Sequence, residues 1–167
     1  MVRAARADRV RDPRPARLAG GPAPGALDPW TAAHLDRLAG IEAGWPAAAV
    51  GDTLLHGDLR ADNVVLTPGR PVVVDWPHVC TGAGWIDLFF AVPSIVMHGG
   101  GDPEELWARF RPGRAADPEA VTALLTAVTG YFVHSGLKPA MPNFPTIRAF
   151  QWAQGQAGLA WLRRRIS

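Results

Sequence analysis

A polar segment that runs directly into two short β-branched segments constrains the fold of this chain more than any other feature. The polar segment is 56–63, with the sequence HGDLRADN. The apolar segments 64–66 (VVL) and 71–74 (PVVV) follow, and the residues between them, 67–70 (TPGR), have the composition of a turn. This pattern predicts a β-hairpin, and Asp75 stands immediately after its second strand.

Antiparallel pairing through that turn would bring Asn63 and Asp75 to the same end of the hairpin, within about one register step. Their amide and carboxylate oxygens are the kind of ligand that Mg²⁺ prefers. Phosphoryl transfer also needs a carboxylate that orients the acceptor hydroxyl, and kinase catalytic loops place this Asp at a fixed spacing between a His and an Asn. Asp58 has that spacing from His56 and Asn63. The segment therefore predicts a phosphoryl-transfer site in which Asn63 and Asp75 face a common metal.

Other polar residues near this segment carry weaker signals. For His56 a buried structural role is favoured over a role as general base. Arg60 lies two residues after Asp58, where it could contact the transferred phosphate or simply be solvated. Asp62 is interpreted as a turn residue. The other histidines lack ligand spacing and are expected to be structural or exposed: His78, His98 and His134.

Taken together, residues 54–88 resemble the aminoglycoside phosphotransferase and choline kinase superfamily, and most closely its bacterial members. The resemblance rests on HGDLRADN, the apolar hairpin, Val-Asp-Trp at 74–76 and Trp-Ile-Asp-Leu at 85–88. It implies that ATP is the phosphate donor, that Asp58 is the catalytic base and that Asn63 and Asp75 bind Mg²⁺. It also implies that Asp87 braces the backbone of the catalytic loop and that His56 packs beneath it. The chain departs from the family where Ala-Gly-Trp at 83–85 replaces a frequent Gly-Asp-Pro.

The remaining sequence predicts mainly helices, so we expect a mostly helical α+β fold. Asp-Pro pairs with the Asp as N-cap predict helix starts at 28–29, 102–103 and 117–118. Residues 86–97 read as a buried helix. A last helix is predicted to begin near Pro145, and Pro46 is predicted to end the first helical region. The resemblance implies that residues 28–167 form the C-terminal lobe of a protein-kinase-like fold.

The segment before His56 does not fit the nucleotide-binding lobe of a kinase. It holds 55 residues without a lysine, whereas that lobe needs a β-sheet and a strand Lys that contacts the phosphates. We therefore expect a truncated phosphotransferase whose N-terminal lobe is missing, and whose ATP binding and activity as this chain alone are in doubt.

Charge and composition suggest the surroundings in which the chain works. Residues 1–27 contain six Arg and two Asp among Pro, Gly and Ala, which predicts a disordered basic leader rather than a nucleic-acid-binding arm, since no aromatic residue stands among the arginines. The sequence contains no run of 18 apolar residues, so no membrane span is predicted. The single Cys80 cannot form an internal disulfide, so a cytoplasmic location is expected.

The acceptor is predicted to be a small molecule with a hydroxyl group. After Glu119 the chain contains no Asp or Glu, while Lys138, Arg148 and Arg163 to Arg165 give residues 120–167 a charge of +5. Because a polycationic aminoglycoside needs acidic partners, a neutral or anionic acceptor is favoured.

Two other functions compete with the kinase interpretation. The first is a non-catalytic C-lobe that binds a ligand, a partner or a second copy of itself through the face left open by the missing lobe. The second is a metal-dependent phosphoesterase built on Asp52, His56, Asp58 and Asp75. Such an enzyme needs further His or Asn ligands at ordered spacing, and the sequence shows none.

Overall fold

A computed structural model describes residues 27–166. Most of the predicted leader, residues 1–26, therefore lies outside the described residues. The described chain divides into two compact units: a mixed unit, residues 49–116, and a helical unit, residues 27–48 together with 117–166. Both are rich in helix and the mixed unit adds short strands, so the fold is mostly helical α+β, as predicted.

The mixed unit contains two small antiparallel sheets. Strand β1 (Thr53–Leu55) pairs with β4 (Cys80–Gly82). Strand β2 (Val64–Leu66) pairs with β3 (Pro71–Val73), which confirms the predicted hairpin. A single 3₁₀ turn (Ala61–Asn63) leads into β2.

Three helices complete the mixed unit: α4 (Ile86–Met97), α5 (Pro103–Arg109) and α6 (Arg111–Ala115). Asp102 caps α5 as predicted, because its carboxylate accepts hydrogen bonds from the amides of Glu104 and Glu105. The core of the unit includes three rings in edge-to-face contact, with centroids 5.9–6.1 Å apart: Trp85, Phe89 and Trp107.

The helical unit begins with α1 (Pro29–Ala33), α2 (Leu35–Glu42) and α3 (Trp45–Ala48). The prediction that Pro46 ends this region was wrong. Pro46 is the second residue of α3, and the first turn of a helix tolerates proline because the amides there need no intrahelical partner. Asp28 caps α1 through the amides of Trp30 and Thr31, as predicted.

Two long helices, α7 (Pro118–Gly136) and α8 (Ile147–Ile166), form the rest of the helical unit. Asp117 caps α7 as predicted. The two helices pack closely at Gly155 and Gly158, where an added Cβ would collide with Val133 and Thr129 respectively. No helix within residues 27–166 is long and apolar enough to cross a membrane.

Candidate active site

The predicted catalytic loop, residues 56–63, begins where β1 ends, with a sharp turn of the backbone at Gly57. This residue has φ +77°, and a Cβ there would lie 2.5 Å from the carbonyl oxygen of His78. Only glycine meets both conditions without strain. The glycine therefore allows the chain to turn tightly between His56, which is buried, and Asp58, which is partly exposed.

The carboxylate of Asp87, in the first turn of α4, holds the start of this loop. Its Oδ2 accepts a hydrogen bond from the His56 amide at 2.8 Å, and its Oδ1 accepts one from the Gly57 amide at 3.0 Å. Hydrogen bonds to a charged acceptor are stronger than those between neutral groups. Two consecutive loop amides are thus fixed by one side chain that lies about 30 residues further along the chain.

His56 connects the loop to the end of β3. Its side chain is almost fully buried, its Nε2 lies 2.9 Å from the carbonyl oxygen of Val74, and its ring meets Trp76 edge-on at 4.7 Å. A carbonyl oxygen can only accept, so Nε2 carries a proton and donates it to Val74. The Nδ1 atom of the ring has no hydrogen-bond partner among residues 27–166.

Asn63 ties the far end of the loop to the hairpin. Its side chain is buried, and its Nδ2 donates to the Asp58 carbonyl at 2.9 Å. Its backbone carbonyl accepts from the Val74 amide at 2.9 Å, which extends the β2–β3 ladder by one step beyond the pair Val64 and Val73. Because Nδ2 is engaged within the loop, Oδ1 is the side-chain atom that could bind a metal.

Asp75 follows Val74 at the same end of the hairpin as Asn63. It is exposed, and with φ +62° it is the one non-glycine residue with positive φ among residues 27–166. Asp and Asn adopt this left-handed conformation more readily than other side chains do. The side-chain oxygen of Asn63 and the carboxylate of Asp75 are of the ligand type that Mg²⁺ prefers, so these two residues could hold such an ion.

Arg60 forms ion pairs with two carboxylates, those of Asp62 and Asp58. Its Nε and Nη2 lie 3.1 and 3.0 Å from the two carboxylate oxygens of Asp62. Its Nη1 lies 3.5 Å from Oδ1 of Asp58. Asp62 lies in the 3₁₀ turn, in agreement with its interpretation as a turn residue. Its bidentate pair with Arg60 was not predicted from the sequence.

Asp52 takes no part in this cluster of contacts. It is exposed in the segment before β1. Within residues 27–166 there is no group of three or more His, Cys, Asp or Glu side chains that could hold a metal ion. The phosphoesterase alternative, which used Asp52 with His56, Asp58 and Asp75, finds no such group in the described part of the chain.

Cys80 on β4 is a neighbour of the site that the sequence did not single out. Burial raises the pKa of its thiol, and the negative charge of Asp87 raises this pKa further. The thiol is therefore held in its neutral form, which is the less reactive one.

Comparison with known proteins adds one finding. The model of the APH family, described as the phosphotransferase enzyme family, matches residues 3–127. No curated protein and no solved structure matches the chain. The matched region includes His56, Asp58, Asn63, Asp75 and Asp87, and it also covers most of the basic segment 1–27. Since it covers well over half of the sequence, the chain belongs to the APH phosphotransferase enzyme family.

Proposed function

We propose that this chain carries the catalytic lobe of an ATP-dependent kinase that phosphorylates a hydroxyl group of a small molecule. In this proposal the described residues have the architecture of a protein-kinase-like C-terminal lobe. One observation carries it. The loop that contains Asp58 is fixed at its start by Asp87 and at its end by Asn63, and His56 joins it to the strand end that precedes Asp75.

Asp58 is the proposed base. The acceptor oxygen forms a bond to the γ-phosphorus of ATP while the bond from that phosphorus to the bridging oxygen of the β-phosphate breaks, so that ADP leaves. The hydroxyl proton passes to the Asp58 carboxylate. About a third of this side chain is exposed, which leaves it accessible to an acceptor.

Asn63 and Asp75 are the proposed ligands of Mg²⁺, through Oδ1 and the carboxylate respectively. When bound, the ion neutralises the charge on the β- and γ-phosphates. Asp87 and His56 act on this site only through the backbone. Asp87 fixes the amides that orient the loop, and His56 fixes the carbonyl before Asp75.

The acceptor proposed here is neutral or anionic. This assignment depends on the charge of residues 120–167, which contain five basic and no acidic residues. A polycationic acceptor would find no carboxylate in that segment.

A titration with Mn²⁺ as a paramagnetic substitute for Mg²⁺ tests the metal site without requiring turnover. We expect Mn²⁺ to broaden the backbone NMR signals of Asn63 and Asp75 in the full 167-residue chain, and Asp75→Asn to weaken this binding about tenfold or more. Asp52→Asn is the matched control, since it removes an exposed carboxylate of the same unit. Equal weakening by Asp52→Asn and Asp75→Asn would favour the phosphoesterase alternative, and broadening centred elsewhere would refute both.

A non-catalytic binding module is the second candidate, and a specific observation favours it. Several large apolar side chains of the mixed unit are exposed, among them Leu54 at 66% and Leu66 at 84%. A large contiguous patch of exposed apolar side chains is typical of a surface that another protein covers. In this candidate function the segment 53–79 binds a protein partner or a second copy of the chain.

A further inference from the structure

The guanidinium of Arg60 contacts two carboxylates, and the two contacts differ in number and in length. Asp62 contacts it at two points, 3.0 and 3.1 Å, while Asp58 contacts it at one point, 3.5 Å. Asp62 is largely exposed, whereas Asp58 and Arg60 are each less than half exposed. Asp58, the base of the proposed reaction, therefore makes the weaker of the two contacts with Arg60.

The two-point pair fixes the orientation of the guanidinium. A carboxylate that takes Nε and Nη2 together defines the plane of the group and leaves Nη1 at a set direction. In this chain that direction leads to Asp58. A single long contact between partly exposed ions contributes little free energy, so a phosphate oxygen, which is a stronger acceptor for Arg, can displace it.

We propose that Asp62 is a positioning residue for phosphoryl transfer. It holds Arg60 so that Nη1 passes from Asp58 to an oxygen of an incoming phosphoryl group while Nε and Nη2 stay on Asp62. The exchange leaves the Asp58 carboxylate available for the acceptor hydroxyl. This inference rests on the proposed function, because it assigns to Asp58 the role of base.

The effect of net charge on anion binding can be distinguished from the effect of positioning Arg60, because the two predict different results for the same substitutions. Asp58 and Asp62 each place one negative charge beside the same guanidinium. If only charge mattered, removing either one would strengthen the binding of an anion. If Asp62 positions Arg60, the two substitutions act in opposite directions: Asp58→Asn removes a competitor of phosphate, and Asp62→Asn removes the group that aims Nη1.

The experiment is a titration of the full chain with inorganic phosphate, without metal, followed by NMR. We expect saturable binding that moves the Arg60 Nε–H signal. Asp58→Asn should strengthen the affinity about two- to fivefold and Asp62→Asn should weaken it about two- to fivefold, the range set by exposed ion pairs. Asp62→Glu keeps the carboxylate and should recover at least half of the loss. Asp52→Asn, the matched loss of an exposed charge, should bind phosphate no more weakly than the unchanged chain.

Three results would overturn the inference: phosphate binding to Asp62→Asn that is as tight as in the unchanged chain or tighter, equal binding by Arg60→Gln, or no saturable binding at all. Neither Asp62 nor Arg60 is a proposed metal ligand, so the Mn²⁺ titration reports separately on the proposed function. Loss of the phosphate pattern with an intact metal site would remove only the role of Asp62. Loss of the metal site with an intact phosphate pattern would remove the kinase function and leave an anion site.

Discussion

The Nε2 atom of His56 lies 2.9 Å from the carbonyl oxygen of Val74, so the first residue of the predicted catalytic loop is hydrogen-bonded to the residue before Asp75. The two parts of the candidate site, loop and strand end, are thereby linked through a buried ring. A change at His56 should therefore be detected at Asp75, although His56 is not a proposed ligand.

His56→Leu removes this donor. We expect Mn²⁺ affinity to fall about tenfold, as is usual when a group that orients a metal ligand is lost. His56→Gln is the matched control, because its amide nitrogen can still donate to Val74 and should preserve most of the affinity. Titration with Mn²⁺ measures both. Binding by His56→Leu as tight as that of the unchanged chain would show that Asp75 does not depend on this hydrogen bond.

Substitution of Asp87 tests whether its carboxylate fixes the backbone amides of His56 and Gly57. Asp87→Ala leaves the amides of His56 and Gly57 without their acceptor, which should lower the free energy of unfolding by about 2–4 kcal/mol. Asp87→Asn retains one acceptor oxygen and should lose about half as much. Urea unfolding followed by tryptophan fluorescence gives the stability, and hydrogen exchange of the Gly57 amide gives the local effect. Unchanged exchange at Gly57 in Asp87→Ala would contradict the contact.

Asp28 makes the stability of the helical unit depend on pH in a predictable direction. Burial acts to raise the pKa of its carboxyl, but hydrogen bonds from Thr31 and the charge of Arg163 outweigh burial, so the pKa lies below its usual value of 3.8. A carboxyl with a lowered pKa stabilises the fold above its unfolded pKa, and this stabilisation is lost as the pH falls through the folded pKa.

Two variants separate the charge of Asp28 from its role as helix cap. Asp28→Asn keeps a good N-cap and removes the charge that pairs with Arg163, so its loss of stability should be fully present at pH 7 and should shrink as the pH falls below 3.8 and through the lowered folded pKa. Asp28→Ala also removes the cap and should lose about 1 kcal/mol more at every pH. Thermal unfolding between pH 2.5 and 7 measures both variants. A loss for Asp28→Asn that does not change with pH would contradict the role of the charge.

Gln154 in α8 offers a stabilising substitution. Its amide is buried, and neither of its polar atoms has a hydrogen-bond partner among residues 27–166. Gln154→Met keeps the length of the side chain and removes the buried polar group, so it should raise the free energy of unfolding by about 1–3 kcal/mol. Gln156→Met, at an exposed position of the same helix, should change it by less than about 0.5 kcal/mol. Chemical denaturation measures both, and destabilisation by Gln154→Met would contradict the expected gain.

Hydrogen exchange tests whether the exposed apolar residues of the hairpin segment are covered in solution. Leu54 and Val65 are exposed, and Val73 is partly buried. We expect the amides of 53–76 to exchange faster than those of α7 and α8 in dilute protein, and more slowly as self-association rises with concentration. Strong protection of 53–76 in a monomer would show that this segment needs no partner.

Local chemistry explains which elements the sequence predicted correctly. The Asp-Pro starts of α1, α5 and α7 depend on hydrogen bonds within three residues, and the β2–β3 hairpin depends on a four-residue turn. Strand β4 was not predicted, because it pairs with β1 across 24 intervening residues and Cys-Thr-Gly has no β-strand pattern of its own. The pairing of α7 with α8 through Gly155 and Gly158 was likewise not visible in periodicity.

The candidate site shows the same division. The spacing of His56, Asp58 and Asn63 is visible in the sequence itself and was enough to predict these site residues. The hairpin register then explains why Asn63 and Asp75 lie at the same end of the hairpin. The pair between Arg60 and Asp62 depends on the conformations of two long side chains, which no pattern of residue types determines. The distance between the Asn63 and Asp75 oxygens, expected at roughly 4–6 Å for a shared ion, stays a prediction.

The left-handed backbone of Asp75 has a consequence for how mutagenesis at this position is interpreted. Alanine is the usual replacement for a carboxylate, but at φ +62° it adds a backbone cost of about 1–2 kcal/mol to the loss of the proposed ligand. Asparagine tolerates this conformation, and glycine adopts it freely. A series of Asn, Gly and Ala at position 75 would therefore separate two requirements on one residue, its chemistry and its backbone conformation. Aspartate is one of the few residue types that both carry a carboxylate and tolerate this conformation.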